Sequence, residues 1–175
     1  MLRKLTGCFG FFLLMIIWTA VPVDAAAQEF SYTSPSAEFT VEFPSATWKK
    51  VGEPDDLHQH TEFVYGDRWD GYLRIRKEAL PEGMTIRDFA LRDQDERTRF
   101  LPAFMAGKDE TFNGRLDGLT LSYEFTQAGK AMVGRSYYLK ADARTVYVLR
   151  FTGLRQKLVG IRNQTDFIAR SLKTK

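Results

Sequence analysis

The sequence predicts an α+β domain: a central twisted antiparallel sheet flanked by helices. Three observations carry that prediction. Several runs alternate apolar and polar residues with a period of two, short turn-rich connections join successive runs, and two longer stretches switch to helical period. Tight hairpins between neighbouring strands exclude a parallel, doubly wound sheet, whose strands need long crossovers. Composition agrees, since 175 residues with 44% hydrophobic, 14% aromatic and 27% charged content exclude a disordered polymer or a polytopic membrane protein.

Residues 1–27 read as a secretory signal peptide. Arg3 and Lys4 form a positive start, Phe11 to Trp18 an apolar core, and Ala25-Ala26-Ala27 a small-residue cleavage site. The apolar stretch from Cys8 to Val21 is shorter than the ~20 residues a membrane-spanning helix needs, so cleavage is expected rather than retention as an anchor. Leu5-Thr6-Gly7-Cys8 mimics a lipobox, but here the apolar run follows the cysteine instead of preceding it. Removing 1–27 leaves 148 residues without cysteine, so the single domain 28–175 must hold together through its apolar core.

Within that domain Phe30–Thr33 is a short strand ended by the Ser34-Pro35-Ser36 turn. Phe39, Val41 and Phe43 share one face of the next strand, and Pro44 stops it before a polar loop carrying Trp48 and Pro54. His60–Tyr65 and Tyr72–Lys77 read as two strands joined by the turn-rich segment Gly66–Gly71. Thr85 and Asp88 begin a helix over 85–101 in the manner of a capping box. Ile86, Phe89, Ala90, Phe100 and Leu101 form its apolar stripe, and Arg92, Asp93, Asp95, Glu96 and Arg97 its wet side. After the turn signals Asn113-Gly114 and Asp117-Gly118, Leu119, Leu121, Tyr123 and Phe125 alternate along the clearest strand. Gln127–Lys130 closes a hairpin onto Met132–Lys140, and residues 141–144 turn into Thr145–Phe151, completing an antiparallel meander. A final helix over 154–172 presents Leu154, Leu158, Ile161, Ile168 and Leu172, with Thr165 in the one polar place.

Phe39-Thr-Val-Glu-Phe-Pro44 followed by Trp48 resembles the opening of PsbP-like domains. Gly118–Tyr123, Tyr137-Tyr138-Leu139, Tyr147-Val148-Leu149 and Ile168–Leu172 are similar to the rest of that pattern. The resemblance implies an α/β/α sandwich shared by a luminal photosystem II extrinsic protein, a nuclear Ran-binding factor and bacterial envelope proteins of the DcrB kind. It implies a non-enzymatic scaffold that binds or assembles other proteins, and it brings no catalytic residues with it.

Motifs that carry chemistry are scarce. There is no Gly-x-Ser-x-Gly elbow, no P-loop and no H-E-x-x-H, and Asn163-Gln164-Thr165 is a glycosylation sequon placed mid-helix. Asp56, His58, His60 and Glu62 occupy alternate positions, and an early strand start would put all four on one face. Imidazole and carboxylate ligands there would suit zinc, manganese or nickel; the other reading is a solvated strand end. Arg74 and Arg76 share a face beside Tyr72, where they could clamp a carboxylate or an acidic partner, or pair across the sheet with Glu62, the pairing the alternation favours. Tyr123, Tyr137, Tyr138 and Tyr147 could line a ligand groove or pack in the core.

With 25 Lys+Arg against 22 Asp+Glu, the net charge of +3 does not describe a nucleic-acid binder. The expectation is an exported, periplasmic or secreted, non-enzymatic interaction or assembly module with an envelope or membrane-complex protein as partner. It has no membrane span after signal cleavage and no cofactor. The alternative is a small-ligand or divalent-metal binder using the Asp56–Glu62 strand.

Overall fold

The computed structural model describes residues 30–174, and the signal peptide expected over 1–27 lies outside the described residues. The main layer is a seven-stranded antiparallel sheet. Its members are β3 (Trp48–Gly52), β4 (Thr61–Tyr65), β5 (Asp67–Ala79), β6 (Met105–Phe112), β7 (Gly118–Gln127), β8 (Lys130–Lys140) and β9 (Thr145–Leu154), in the spatial order β3-β4-β5-β9-β8-β7-β6. A second antiparallel sheet has β2 (Phe39–Phe43) between β1 (Phe30–Thr33) and β10 (Lys173–Thr174). Helix α1 (Ile86–Thr98) lies on one face of the large sheet; α2 (Arg155–Gly160), α3 (Arg162–Ser171) and the small sheet lie on the other.

The predicted meander is present in register, from Gln127 opposite Lys130 to Gly118 opposite Leu139, and onward from Met132 opposite Leu154 to Lys140 opposite Val146. Ala128 (φ 49°) and Gly129 (φ 74°) both take positive φ at the hairpin tip, as a two-residue turn matched to strand twist requires. Because side chains alternate, one set of residues on these strands builds the larger core. Leu73 and Ile75, Tyr137 and Leu139, and Tyr147, Leu149 and Phe151 all point to the small sheet, where Phe39, Val41 and Phe43 meet them, and to Leu158, Ile161 and Ile168 of the closing helices. The opposite set, Leu119, Leu121, Tyr138, Val146 and Val148, packs under Phe89 and Ala90 of α1.

Several expectations are revised. The loop holding Trp48 is strand β3, and Met105–Phe112 is an edge strand that the sequence did not announce; seven of its eight residues are exposed. The connection expected over Gly66–Gly71 shrinks to Gly66 (φ 68°), because β5 starts at Asp67. The amide of Asp88 donates to Thr85 Oγ1 at 3.1 Å, so α1 is capped where expected, but the helix ends at Thr98 and Phe100 is 83% exposed. The closing helix breaks at Ile161 (φ −106°), which leaves the helical line to enter the core.

Candidate functional site

Alternation along β5 puts Tyr72, Arg74, Arg76 and Glu78 on the α1 face, and alternation along β9 puts Val148 and Arg150 beside them. Helix α1 packs on β7 and β8, so it leaves this half of the sheet uncovered and brings only its own edge to it. That edge carries Asp93 and, one turn on, Arg97. Asp93 is 6% exposed and accepts on Oδ2 from Arg150 Nη2 at 2.6 Å and Tyr138 OH at 2.9 Å, and on Oδ1 from Arg97 Nε at 3.0 Å and from Arg76 Nη2. A carboxylate placed on the wet side by sequence is thus the buried hub of the site. Its desolvation is offset by charged donors, without which burial would be prohibitive.

Glu78 carries the second acidic position. Arg76 Nε stands 2.6 Å from Glu78 Oε1, though not in line for a hydrogen bond, and Arg97 Nη2 stands 3.5 Å away. Burial, and then the charges of Arg150 and Arg97, pull Arg76 below the usual arginine value against the support of Asp93 and Glu78. Burial also pushes the Tyr138 phenol up, and Asp93 adds to it. Glu62 belongs to other partners than expected: His60 Nε2 at 2.9 Å and Arg68 Nη2 at 2.9 Å. Arg74 lies opposite Glu62 in the sheet register yet makes no ion pair among the described residues; it stacks over Tyr72, 5.5 Å from the ring centroid.

These residues line two cavities that share Arg74, Arg97 and Arg150. One, of about 510 Å³, is polar and opens past Leu57, Gln59 and His60. The other, of about 430 Å³, has Trp69, Tyr72, Leu101, Phe125 and Met132 among its walls, with Arg68, Thr98, Gln127 and Thr152 between them. Together they form a groove with one wet end and one more apolar end. Five arginines (68, 74, 76, 97 and 150) border it against three carboxylates (Glu62, Glu78 and Asp93). Chemically it can bind an anion; guanidiniums stay protonated and hold charge rather than transfer protons.

The expected metal ligands are placed differently from the pattern that drew them. Strand β4 begins at Thr61, so Asp56, His58 and His60 lie on the preceding loop and only Glu62 is in the strand. His58 Nδ1 is 3.2 Å from Asp55 rather than Asp56, His60 pairs with Glu62, and the two imidazoles face edge-on at 5.9 Å. Among the described residues no three His, Cys, Asp or Glu side chains stand close enough together to hold a metal ion. Of the four tyrosines, Tyr137, Tyr138 and Tyr147 are core residues, and Tyr123 lies between core and groove. Sequence reasoning missed Asp93, Arg97 and Arg150. The available signals were the i, i+4 spacing of Asp93 and Arg97 and an arginine in line with Val146 and Val148 on an otherwise apolar strand face.

Comparison with solved structures places the fold. Cyanobacterial PsbP from Synechocystis matches at 11% identity with a TM-score of 0.63, over 90% of this chain and 99% of that one. LpqN of Mycobacterium tuberculosis, described as involved in cell envelope biogenesis, matches at 15% identity and a TM-score of 0.56, over 85% and 91% of the two chains. A protein from Bacteroides thetaiotaomicron matches at 16% identity and a TM-score of 0.57 over 83% of this chain and 48% of that one, so this chain spans about half its length. No family model and no curated protein matches the sequence. The fold is PsbP-like.

Proposed function

We propose that this PsbP-like chain is a non-enzymatic interaction or assembly module exported to the cell envelope, and that it docks an acidic segment of an envelope or membrane-complex protein in the arginine groove. The observation that carries the reading is the uncovered half of the sheet, where arginines outnumber carboxylates and Arg74 lacks an acidic partner among the described residues. Leu57 (86% exposed) on the groove's rim and Phe100 just beyond its Thr98 wall give such a segment apolar anchorage. Support for the compartment comes from the amino-terminal pattern and from the involvement of LpqN in cell envelope biogenesis. Among the described residues no helix is long and apolar enough to cross a membrane.

Photo-crosslinking in cells tests the reading. A crosslinker at position 57 or 100 should trap one protein through an acidic segment, and Arg74→Glu should abolish the adduct. A crosslinker at Val159, exposed on α2 across the sheet, should trap nothing comparable. Equal adducts from all three positions, or adducts indifferent to Arg74→Glu, would overturn it. The rival reading, a divalent cation held by Asp56, His58, His60 and Glu62, is favoured only by the approach of the two imidazoles. It requires zinc or manganese binding that His58→Ala/His60→Ala removes, with His58 leaving Asp55.

A further inference from the structure

We infer that the apolar end of the groove is a pocket for a carboxylate carried on an apolar body. This deepens the docking reading and rests on it for the groove being a binding face. The inference begins with unspent hydrogen-bonding capacity. Tyr123 is 2% exposed, yet its hydroxyl, with the Ser136 hydroxyl within reach, makes no well-formed hydrogen bond, although buried donors are nearly always paired. It sits within the electrostatic reach of Arg74 and Arg150, and both arginines line the same 430 Å³ cavity. Arg150 spends Nη2 on Asp93 and Nε on Ser136, at 3.3 Å, which leaves Nη1 without a bond among the described residues. Arg74 spends nothing on an acid. One phenol O–H and two guanidiniums therefore converge on a cavity where their hydrogen-bonding capacity is not fully used.

The charge balance calls for an anion, and the walls select its body. Glu62 answers Arg68, and Asp93 with Glu78 contacts all three of Arg76, Arg97 and Arg150, so two positive charges are left over and Arg74 is the arginine with no acidic contact among the described residues. A planar carboxylate fits the guanidinium fork and can accept from Tyr123 as well. A phosphate could match that charge but has no use for the walls. Those walls, Trp69, Tyr72, Leu101, Phe125 and Met132, fit an aromatic or branched aliphatic group, and the volume is at the small end of ligand pockets. Gly134 is part of the construction. A Cβ there would stand 2.0 Å from the Tyr123 ring, so only glycine lets the ring lie across β8 and reach the pocket. The carboxylate can belong to a free organic acid or to the carboxyl terminus of a docked protein.

Titration of the purified protein with N-acetyl-phenylalanine and with N-acetyl-phenylalaninamide, read by amide NMR shifts and by fluorescence of Trp69 in the pocket wall, decides it. The acid should bind saturably and the amide about tenfold more weakly or not at all, the loss expected for a charged hydrogen-bonded contact. Arg74→Gln should weaken the acid about tenfold, and Tyr123→Phe severalfold, with the amide unaffected. A hexapeptide ending in phenylalanine that binds more tightly than the free acid identifies a protein terminus as the source; the reverse identifies a small acid. Equal binding of acid and amide, inorganic phosphate binding as tightly as the acid, or full affinity in both variants would overturn the inference. If the acid fails while crosslinks from positions 57 and 100 persist and still depend on Arg74, the pocket is refuted and the docking reading stands.

Discussion

The two faces of the seven-stranded sheet are made by the same strands, yet they solve different problems. Toward the small sheet the inward positions from β3 to β9 are almost all apolar or aromatic, Thr61 and the Arg135 that pairs with Asp166 of α3 being the polar ones, and Phe39, Val41 and Phe43 with α2 and α3 close it off. Toward α1 the apolar set stops at Val148, and from Arg150 across to β5 the strands present arginine, tyrosine and glutamate to a groove. A single thirteen-residue helix is too narrow to cover seven strands, so its side must either expose apolar surface or become polar. The chain makes it polar and buries one carboxylate to organise it. The closed face sets stability; the half-open face sets what the protein can bind.

The comparison breaks first if the closed face is not the stabilising one. Phe151→Ala should cost about 3–5 kcal/mol, toward the upper end because the ring is fully buried with the Trp48 and Tyr137 rings edge-on to it at 5.9 and 5.6 Å. Denaturant unfolding measures this, and a loss below about 1 kcal/mol would mean the layer collapses to fill the gap. On the other face Asp93→Ala should cost about 3 kcal/mol, since it leaves Arg150 and Arg76 buried without their anion. It should not cost more, because Arg76 and Arg97 still reach Glu78. Sulfate should recover part of that loss but none of the Phe151 loss.

Gly134→Ala is intermediate. The added methyl must displace the Tyr123 ring, at an expected cost of about 1–3 kcal/mol. It should also weaken carboxylate binding more than its effect on folding explains. Full stability together with full binding would show that the ring has somewhere else to go.

The two faces were also unequally legible. The closed face is written in alternation, so Leu119–Thr126, Met132–Lys140 and Thr145–Phe151 appear as strands wherever they stand. Edge strands escape that test: β3 reads Trp-Lys-Lys-Val-Gly and β6 is exposed along nearly its whole length, so neither shows an apolar period. The open face was half legible. Arg74 and Arg76 stood out, but cross-strand geometry pointed them at Glu62, and the acid that holds Arg76 comes from a helix 17 residues away. Asp93 looked solvated because a charge that is paired and buried has the same letter as one in water. Phe100 looked buried for the converse reason, as hydrophobic period cannot say where a helix stops.

The smallest effect concerns the outer edge of the open face, where Tyr72 and Glu62 face each other across β4 and β5. Burial raises the Tyr72 phenol to about 12, with the Glu62 carboxylate adding to it. Burial alone would raise Glu62, but hydrogen bonds from Tyr72 and His60 and the Arg68 charge outweigh it and hold its carboxyl below the ordinary 4.5. The signs follow from linkage. The raised phenol gives stability that is whole below pH 10.0 and lost as pH climbs from there toward about 12. The lowered carboxyl gives stability that is whole above pH 4.5 and lost as pH falls through its folded value. Tyr72→Phe should therefore flatten the stability curve at both ends while changing little near neutrality, as pH-dependent urea unfolding would record. Flattening at the alkaline end alone would place the hold on Glu62 with His60 and Arg68, making the groove's edge a separate unit from the strand that carries Arg74.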